Sequence, residues 1–317
     1  MVSPYKMVIA VTNQKGGCAK TTTAVNLATA LSAGDIRSGF PAAKVLLIDL
    51  DPQGSVSTSF GISKNKLGRS HTVYDLLMDE SGEQLNVSED FLIHPDFISD
   101  CMQEAWRKEN RDKKPPKLLK VENLWLLPSN MRLAGAEIEL AMRIGRETRL
   151  KEALSEVIEE FDYIIIDTPP TLGLLTINAL AAANWALIPV QTEYYALEGM
   201  SQLMNSIKLI QRRINPHLKV FGIALTMFQK SKLCEMVSDE VRKKFEKQVF
   251  KTVVPRNIAV AEAPASGAPV VLLHKPTKSN RGSQAYWALS REVHKRVNQL
   301  RRKWGIKEHS RLKLHQM

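Results

Sequence analysis

A chain of 317 residues with 44% hydrophobic residues is long enough to bury a substantial core. Its apolar runs are too short and too interrupted to span a bilayer, and its three cysteines lack metal-ligand spacing, which argues against membrane-spanning and iron–sulfur proteins. The formal net charge of +11 indicates an anionic partner.

The first six residues lack the apolar segment of a signal peptide. The three cysteines are scattered and odd in number, which suits a reducing compartment rather than a disulfide framework. We therefore expect a cytoplasmic protein.

Short runs rich in Val, Ile and Leu alternate with helical stretches along the chain. The predicted strands are residues 6–12, 44–49, 123–127, 162–167, 186–190, 220–226, 248–254 and 270–273. The predicted helices include residues 134–143, 148–160 and 199–213. This order is typical of an α/β fold, with a mostly parallel twisted sheet and helices on both faces. Without an internal repeat or a clean linker, we expect a single domain over residues 1–317.

A turn rich in Gly and Lys lies between the first predicted strand and the first predicted helix. Such a turn presents backbone N–H groups and a helix N-terminus to an anion, which makes it a phosphate cradle. We expect eight consecutive residues to bind nucleotide: Lys15, Gly16, Gly17, Cys18, Ala19, Lys20, Thr21 and Thr22. Lys20 would reach the phosphates of ATP, and the Thr21 hydroxyl would bind Mg²⁺.

The turn departs from the strict pattern G-x-x-x-x-G-K-[ST], because Gln14 and Ala19 stand where that pattern has glycine. A Cβ at position 19 would cost about 1 kcal/mol if φ is positive there. A second lysine, Lys15, precedes Lys20 by five residues. One lysine suffices to neutralise phosphate within a subunit, so we interpret Lys15 as a residue that reaches another nucleotide. The alternative is that Lys15 is a solvated lysine in a Gly-rich turn.

Two aspartates end predicted strands and a third lies just beyond one of them, and ligands bind parallel sheets at the carboxyl ends of their strands. We assign Asp49 and Asp167 to the Mg²⁺ shell, together with Thr21 or ordered waters. Asp51 lies two residues beyond Asp49 and is assigned to the attacking water, which makes Lys15, Lys20 and Asp51 the catalytic set. The alternative for Asp51 is a turn cap before Pro52.

Several ordered motifs resemble those of the ParA/MinD ATPases. The segment from Lys15 to Thr22 resembles their deviant Walker A motif, and residues 45–54 and 163–170 resemble the second motif and the Walker B strand with its switch. Residues 253–257, 262–264 and 191–199 resemble the chromosomal-type ParA (Soj) branch most closely. The resemblance covers roughly residues 5–78 and 122–295.

The resemblance implies a P-loop NTPase that uses ATP and Mg²⁺ and forms a homodimer on binding ATP. It also implies that the dimer binds DNA without sequence preference and that a ParB-like partner protein stimulates hydrolysis. It implies a nucleoid-associated location and a cross-dimer role for Lys15. It places Met227, Pro255 and Asn257 at the nucleotide base. It places four residues at the dimer or partner interface: Glu193, Tyr194, Glu198 and Gly199. The alternative for this segment is that it only packs the dimer interface.

Three basic segments stand out: residues 107–120, within an apparent insertion at about 79–122; residues 230–256; and residues 291–317. We interpret the first as a solvated excursion or a functional insertion. From the second, the expected DNA-binding residues are Lys230, Lys232, Lys247, Lys251 and Arg256, although residues 229–233 lack an arginine that the Soj branch uses there.

The third segment allows three interpretations. Val293, Val297, Leu300 and Trp304 share one helix face, which could pack on the protein body, while the basic residues could bind DNA or anionic lipid. Three alternative functions stay open: a MinD-like membrane-cycling ATPase, a ParA-like positioner of a non-DNA cargo, and a metabolic ATPase. No segment resembling an operator-binding helix-turn-helix precedes the first strand, so we expect no sequence-specific repressor role.

Overall fold

The computed structural model describes residues 6–35, 38–67, 71–79, 87–110, 116 and 119–305. Parts of the apparent insertion at 79–122, and residues 306–317 of the basic tail, lie outside the described residues. Within the described part, no helix is long and apolar enough to cross a membrane.

Seven strands form one sheet with the order β3-β2-β4-β1-β5-β6-β7. They are β1 Met7–Val11, β2 Val45–Asp49, β3 Leu124–Leu127, β4 Tyr163–Asp167, β5 Trp185–Gln191, β6 Lys219–Phe228 and β7 Val249–Pro255. Each neighbouring pair in this sheet is parallel. The α/β class and the parallel sheet expected from the sequence are therefore confirmed.

Helices connect the strands and cover the sheet. They are α1 Lys20–Ala33, α2 Ser55–Ser59, α3 Lys64–Leu67, α4 Val73–Met78, α5 Val87–Asp90, α6 Pro95–Glu109, α7 Leu133–Ala141, α8 Arg149–Leu154, α9 Leu174–Ala182, α10 Ala196–Arg213, α11 Lys232–Phe245, α12 Ile258–Glu262, α13 Val270–Leu273 and α14 Arg281–Lys303. Single 3₁₀ turns lie at Ile158–Glu160 and Glu246–Gln248.

One predicted strand is wrong, because residues 270–273 form helix α13. A four-residue apolar run has no periodicity that separates a strand from a buried helical turn. Here Pro269 precedes the helix, and the Val271 backbone N–H donates to Asn26 Oδ1 on α1 at 3.3 Å. The predicted helix at 148–160 is also shorter, since α8 ends at Leu154 and a 3₁₀ turn follows.

Alternate residues of the strands point into two separate cores. Ile9 and Val11 of β1 pack on the face covered by α1, α13 and α14, whereas Val8 and Ala10 pack on the face covered by α4 and α7 to α11. All five residues of β1 are buried, as expected for a central strand covered on both faces.

The apolar stripe of the last helix belongs to the protein body. Val293 and Val297 of α14 are fully buried, and Leu300 and Trp304 pack against the same core. The Trp304 ring lies 6.3 Å from the Trp185 ring at the start of β5. The body-packing interpretation of this stripe is therefore confirmed.

Both edges of the sheet are covered at defined positions. On β7, the Glu292 carboxylate accepts the backbone N–H groups of Lys251 at 2.9 Å and Thr252 at 3.0 Å. On β3, Leu126 forms an antiparallel bridge with Ile93, with N–H···O distances of 2.8 and 3.1 Å. These contacts satisfy backbone groups that an edge strand would otherwise expose.

Candidate functional site

The strand register brings the predicted site segments to one edge of the sheet. Asp49 at the end of β2 is the register partner of Asp167 at the end of β4. Asp167 is also the partner of Val11, the last residue of β1. The Gly-Lys turn that follows β1 therefore lies beside both carboxylates, as the sequence predicted.

The Gly-Lys turn is fixed by hydrogen bonds from neighbouring strands. Asn13 Nδ2 donates to the Pro189 carbonyl at 2.7 Å, and Asn13 Oδ1 accepts the Lys15 backbone N–H at 3.0 Å. The Thr226 hydroxyl of β6 donates to the Cys18 carbonyl at 3.1 Å. The turn is thus held by β5 and β6, the two strands that follow β1 on the same side of the sheet. A Cβ built on Gly16 or Gly17 would meet no atom within 4 Å, so the space over the turn is open.

Ala19 adopts a left-handed backbone conformation with φ 67°, directly before α1. An L-residue with a Cβ is strained in this region, whereas glycine is not. We expect Ala19→Gly to raise the free energy of unfolding by roughly 0.5–1 kcal/mol, since relief of strain exceeds the added entropy of the unfolded chain. Chemical denaturation without nucleotide measures this change.

The matched control is Ala24→Gly in the interior of α1, where Ala24 is fully buried. This second variant lacks any strain to relieve and should lower the free energy of unfolding by about 1 kcal/mol. Equal destabilisation by the two substitutions would contradict strain at position 19.

The two lysines of the turn occupy different positions. Lys20 is 7% exposed, and its ammonium donates to the Lys15 carbonyl at 3.1 Å, so it lies over its own turn. The Lys15 ammonium instead forms an ion pair with Glu193, and both of these side chains are substantially exposed. One lysine therefore points inward and the other outward from the same turn.

Asp49 and Asp167 are both fully buried. Asp49 accepts the backbone N–H groups of Asp51 at 3.0 Å and Val56 at 3.1 Å. Neither Asp167 oxygen has a hydrogen bond of normal geometry within the described ranges, although the Thr21 side chain lies close enough to lower the pKa of Asp167 in part.

Burial raises the pKa of Asp167 to about 7, and the nearby Asp51 charge adds to this rise while Lys20 opposes it. Burial also raises the pKa of Asp49 well above its ordinary value, and the charge of Asp167 raises it further. Two adjacent buried carboxylates, of which Asp167 has no hydrogen-bond partner for its oxygens, fit a divalent cation, because such a cation would stabilise both charges. Asp49, Asp167 and Thr21 are thus a chemically suitable set for Mg²⁺.

Asp51 follows β2 and is half-buried. Its Oδ1 accepts the Gln53 backbone N–H at 3.0 Å, and its carbonyl accepts the Gly54 N–H at 3.0 Å. The turn before α2 therefore uses one carboxylate oxygen. The other oxygen has no hydrogen bond among the residues that the structure covers. Asp51 can therefore cap the turn with one oxygen and contact a further group with the other.

The segment after β5 presents an exposed surface beside Lys15. Tyr194 and Tyr195 are 69% and 70% exposed, and their rings meet edge to face at 5.2 Å. Glu198 is exposed in the first turn of α10, and Gly199 lies one residue further along this helix. Exposed aromatic side chains next to a functional turn favour a contact surface.

The predicted base loop lies at the ends of β6 and β7. Pro255 and Asn257 line a cavity of about 650 Å³. Asn257 also begins α12 by accepting the Val260 N–H at 3.3 Å. Met227 has a left-handed φ of 52° and follows Thr226, whose hydroxyl contacts the Gly-Lys turn. The structure thus brings Pro255 and Asn257 together, whereas Met227 is not in the cavity lining and lies along the chain between Thr226, which contacts the turn, and Phe228, which lines the cavity.

The predicted basic set does not form one cluster. Lys230, Lys232 and Arg256 lie at the carboxyl edge, whereas Lys247 lies between the end of α11 and the start of β7, at the opposite edge. Lys251 lies within strand β7 rather than at its end. A strand of seven residues spans about 20 Å, so the expectation of a single cluster is wrong for Lys247. The sequence analysis also missed Arg281, the first residue of α14, which lines the same cavity.

Comparisons with known proteins agree with this geometry. A family model described as an AAA domain matches residues 6–220. The chain is 43% identical over 287 residues to the sporulation initiation inhibitor protein Soj of Bacillus subtilis, covering 90% of this chain and 97% of Soj. It is 41% identical over 290 residues to the chromosome partitioning protein ParA of Myxococcus xanthus, covering 91% of this chain and 88% of that protein.

A solved structure titled cobyrinic acid a,c-diamide synthase, from Mycobacterium smegmatis with bound ADP and magnesium, has a TM-score of 0.67 and 32% identity, covering 95% of this chain and 96% of that chain. The family-model match covers more than half of the chain, and the Soj and ParA relatives are aligned over nearly their whole lengths. The chain therefore belongs to the ParA/MinD family of ATPases, in its chromosomal-type ParA (Soj) branch.

Proposed function

We propose that this protein is a partitioning ATPase that dimerises on ATP, binds DNA without sequence preference and is released when a partner protein stimulates hydrolysis. The observation that carries the proposal is the divergent placement of two lysines on one phosphate turn. Lys20 serves the nucleotide of its own subunit, while the outward Lys15 reaches the nucleotide of a second copy.

The nucleotide is held by the turn and the neighbouring carboxylates. The backbone from Gly16 to Thr22 and the Lys20 ammonium bind the phosphates, and Pro255 and Asn257 contact the base. Thr21, Asp49 and Asp167 hold Mg²⁺, which when bound neutralises charge on the phosphate oxygens. The unpartnered oxygens of Asp167 support this assignment.

Hydrolysis needs a positioned water more than covalent chemistry. Asp51 orients that water with the carboxylate oxygen that the turn leaves unused. Asp51 lies two residues beyond the buried Asp49, which ends β2, and this position at the carboxyl edge supports the assignment.

DNA and the partner protein use different parts of the same edge. Exposed cations that include Lys230, Lys232 and Arg256 neutralise backbone phosphates, and a dimer presents each of them twice. A ParB-like partner docks at the segment from Glu193 to Gly199, where the exposed tyrosines lie.

A membrane-cycling function is less well supported. Val293 and Val297 of α14 are buried in the body, so this helix face is occupied and is not free to insert into lipid. Positioning of a non-DNA cargo would use the same ATP cycle and differs only in the partner.

A sedimentation assay with DNA or liposomes, together with a measurement of ATP turnover, distinguishes these functions. We expect ATP-dependent retention on random-sequence DNA, no retention on anionic liposomes, and slow turnover that rises when DNA and a ParB-like partner are both present. Retention on liposomes alone would favour membrane cycling. A high basal rate that no partner changes would favour a metabolic enzyme, such as the synthase named for the M. smegmatis structure.

A further inference from the structure

The Glu137 side chain of α7 lies against the N-terminus of a different helix, α9. Its Oε1 accepts the backbone N–H of Leu175, in the first turn of α9, at 3.3 Å. A Cβ built on Gly173, the residue directly before α9, would lie 1.9 Å from the same oxygen. The carboxylate therefore occupies the space beside Gly173, and any larger residue at that position would displace it.

Helix α9 needs a cap from outside its own sequence. The first N–H groups of a helix have no partner within the helix, and Gly173 has no side chain to supply one. The first bond inside α9 runs from the Ile177 N–H to the Gly173 carbonyl at 3.0 Å. A carboxylate at a helix N-terminus also interacts favourably with the helix dipole. Glu137 thus supplies from α7 the cap that α9 lacks.

A short exposed loop connects Asp167 at the end of β4 to the capped start of α9. Residues 170–172 of this loop are exposed. At its first end, the Thr168 hydroxyl donates to a carbonyl at the end of β1 at 3.0 Å. At its second end, the Thr176 hydroxyl of α9 donates to the Thr171 carbonyl at 2.6 Å. The contact that holds the start of α9 therefore also holds the loop that leaves Asp167.

We propose that Glu137 is a positioning residue for the Mg²⁺ site: it caps α9 from α7 and so holds the loop that follows Asp167. Neither oxygen of Asp167 has a hydrogen bond of normal geometry within the described residues, so the backbone on either side of Asp167 decides how its carboxylate is presented. The inference rests on the proposed ATPase function and its Mg²⁺ set. Glu137 acts through α9 and the loop, and not as a ligand of the cation.

Hydrogen exchange of the nucleotide-free protein tests the contact itself. Glu137→Ala should speed exchange of the Leu175 amide by roughly five- to tenfold, while the Ile177 amide, bonded within α9, stays protected. Glu137→Gln keeps an oxygen that can accept the Leu175 N–H and should keep the protection. Gly173→Ala should displace the carboxylate and act like Glu137→Ala, and the double variant should show no further increase, because both changes remove one contact.

The functional test measures the Mg²⁺ concentration at half-maximal ATP turnover and at half-maximal binding of a fluorescent ATP analogue. Glu137→Ala should raise both concentrations by about three- to tenfold, and Glu137→Gln should restore them. The matched control is Glu139→Ala on the same helix, since the Glu139 carboxylate accepts the Tyr74 hydroxyl of α4 at 2.9 Å. This control should keep the Mg²⁺ requirement of the unaltered protein, even where it lowers the melting temperature as much as Glu137→Ala does.

The outcomes separate this inference from the proposed function. Absence of Mg²⁺-dependent ATP hydrolysis by the unaltered protein would overturn the proposed function itself. Unchanged Leu175 exchange in Glu137→Ala would show that the cap is not formed in solution. Faster Leu175 exchange with an unchanged Mg²⁺ requirement, or an equal rise of that requirement in Glu139→Ala, would reduce Glu137 to a structural residue. Either result would overturn the inference while the ATPase function stands.

Discussion

Lys15→Ala is expected to abolish ATP-dependent dimerisation while the single subunit still binds ATP. Lys20 and the backbone of the turn remain in that variant, so the phosphates of the subunit's own nucleotide keep their contacts. The lost group is the exposed ammonium that pairs with Glu193. An exposed ion pair contributes only about 0–1 kcal/mol, so Lys15 can leave Glu193 for a phosphate on a second subunit.

Equilibrium titration of nucleotide and light scattering measure the two properties separately. Glu193→Gln is the informative control, because it removes the ion pair and keeps the Lys15 charge. This control should still dimerise, at the same ATP concentration or a lower one. If Lys15→Ala dimerises like the unaltered protein, or if both variants lose dimerisation equally, the cross-subunit role of Lys15 is wrong.

Asp51→Ala is expected to bind ATP, accumulate as a dimer and hydrolyse ATP at least about 100-fold more slowly. The substitution removes the carboxylate assigned to the water and leaves the Mg²⁺ set of Thr21, Asp49 and Asp167 intact. Phosphate release in single-turnover experiments, with dimer content measured in parallel, checks both parts of this expectation.

Asp51→Asn separates catalysis from turn capping. Asparagine keeps an oxygen that can accept the Gln53 N–H and loses the negative charge. If the carboxylate is catalytic, Asp51→Asn should hydrolyse ATP nearly as slowly as Asp51→Ala. If Asp51 only caps the turn, Asp51→Asn should hydrolyse ATP at the rate of the unaltered protein. Normal hydrolysis by Asp51→Asn would therefore exclude the proposed role of Asp51.

The central part of the fold and the arrangement of the candidate site could be predicted from local sequence. Buried parallel strands are continuous apolar runs, and a motif at the end of each such run must lie at the same edge of the sheet. That reasoning placed Asp49, Asp167 and the turn before α1 together, and the register of β2, β4 and β1 agrees.

Features that depend on packing could not be predicted in this way. The apolar run at 270–273 is helical because α1 and α14 surround it, and a run of that length carries no period of its own. Lys247 and Arg256 are close in sequence, yet strand β7 separates them. Arg281 joins Arg256 only because α14 begins beside the end of β7.

The covered positions on the two sheet edges limit how copies of this protein can assemble. Glu292 occupies N–H groups of β7, and Ile93 occupies a position on β3, so a further strand cannot add to the sheet at these points. Strand-by-strand growth between copies leads to open-ended fibres, whereas a face that pairs with itself closes after two subunits. Growth of the sheet between copies at these positions would first have to displace Glu292 or Ile93.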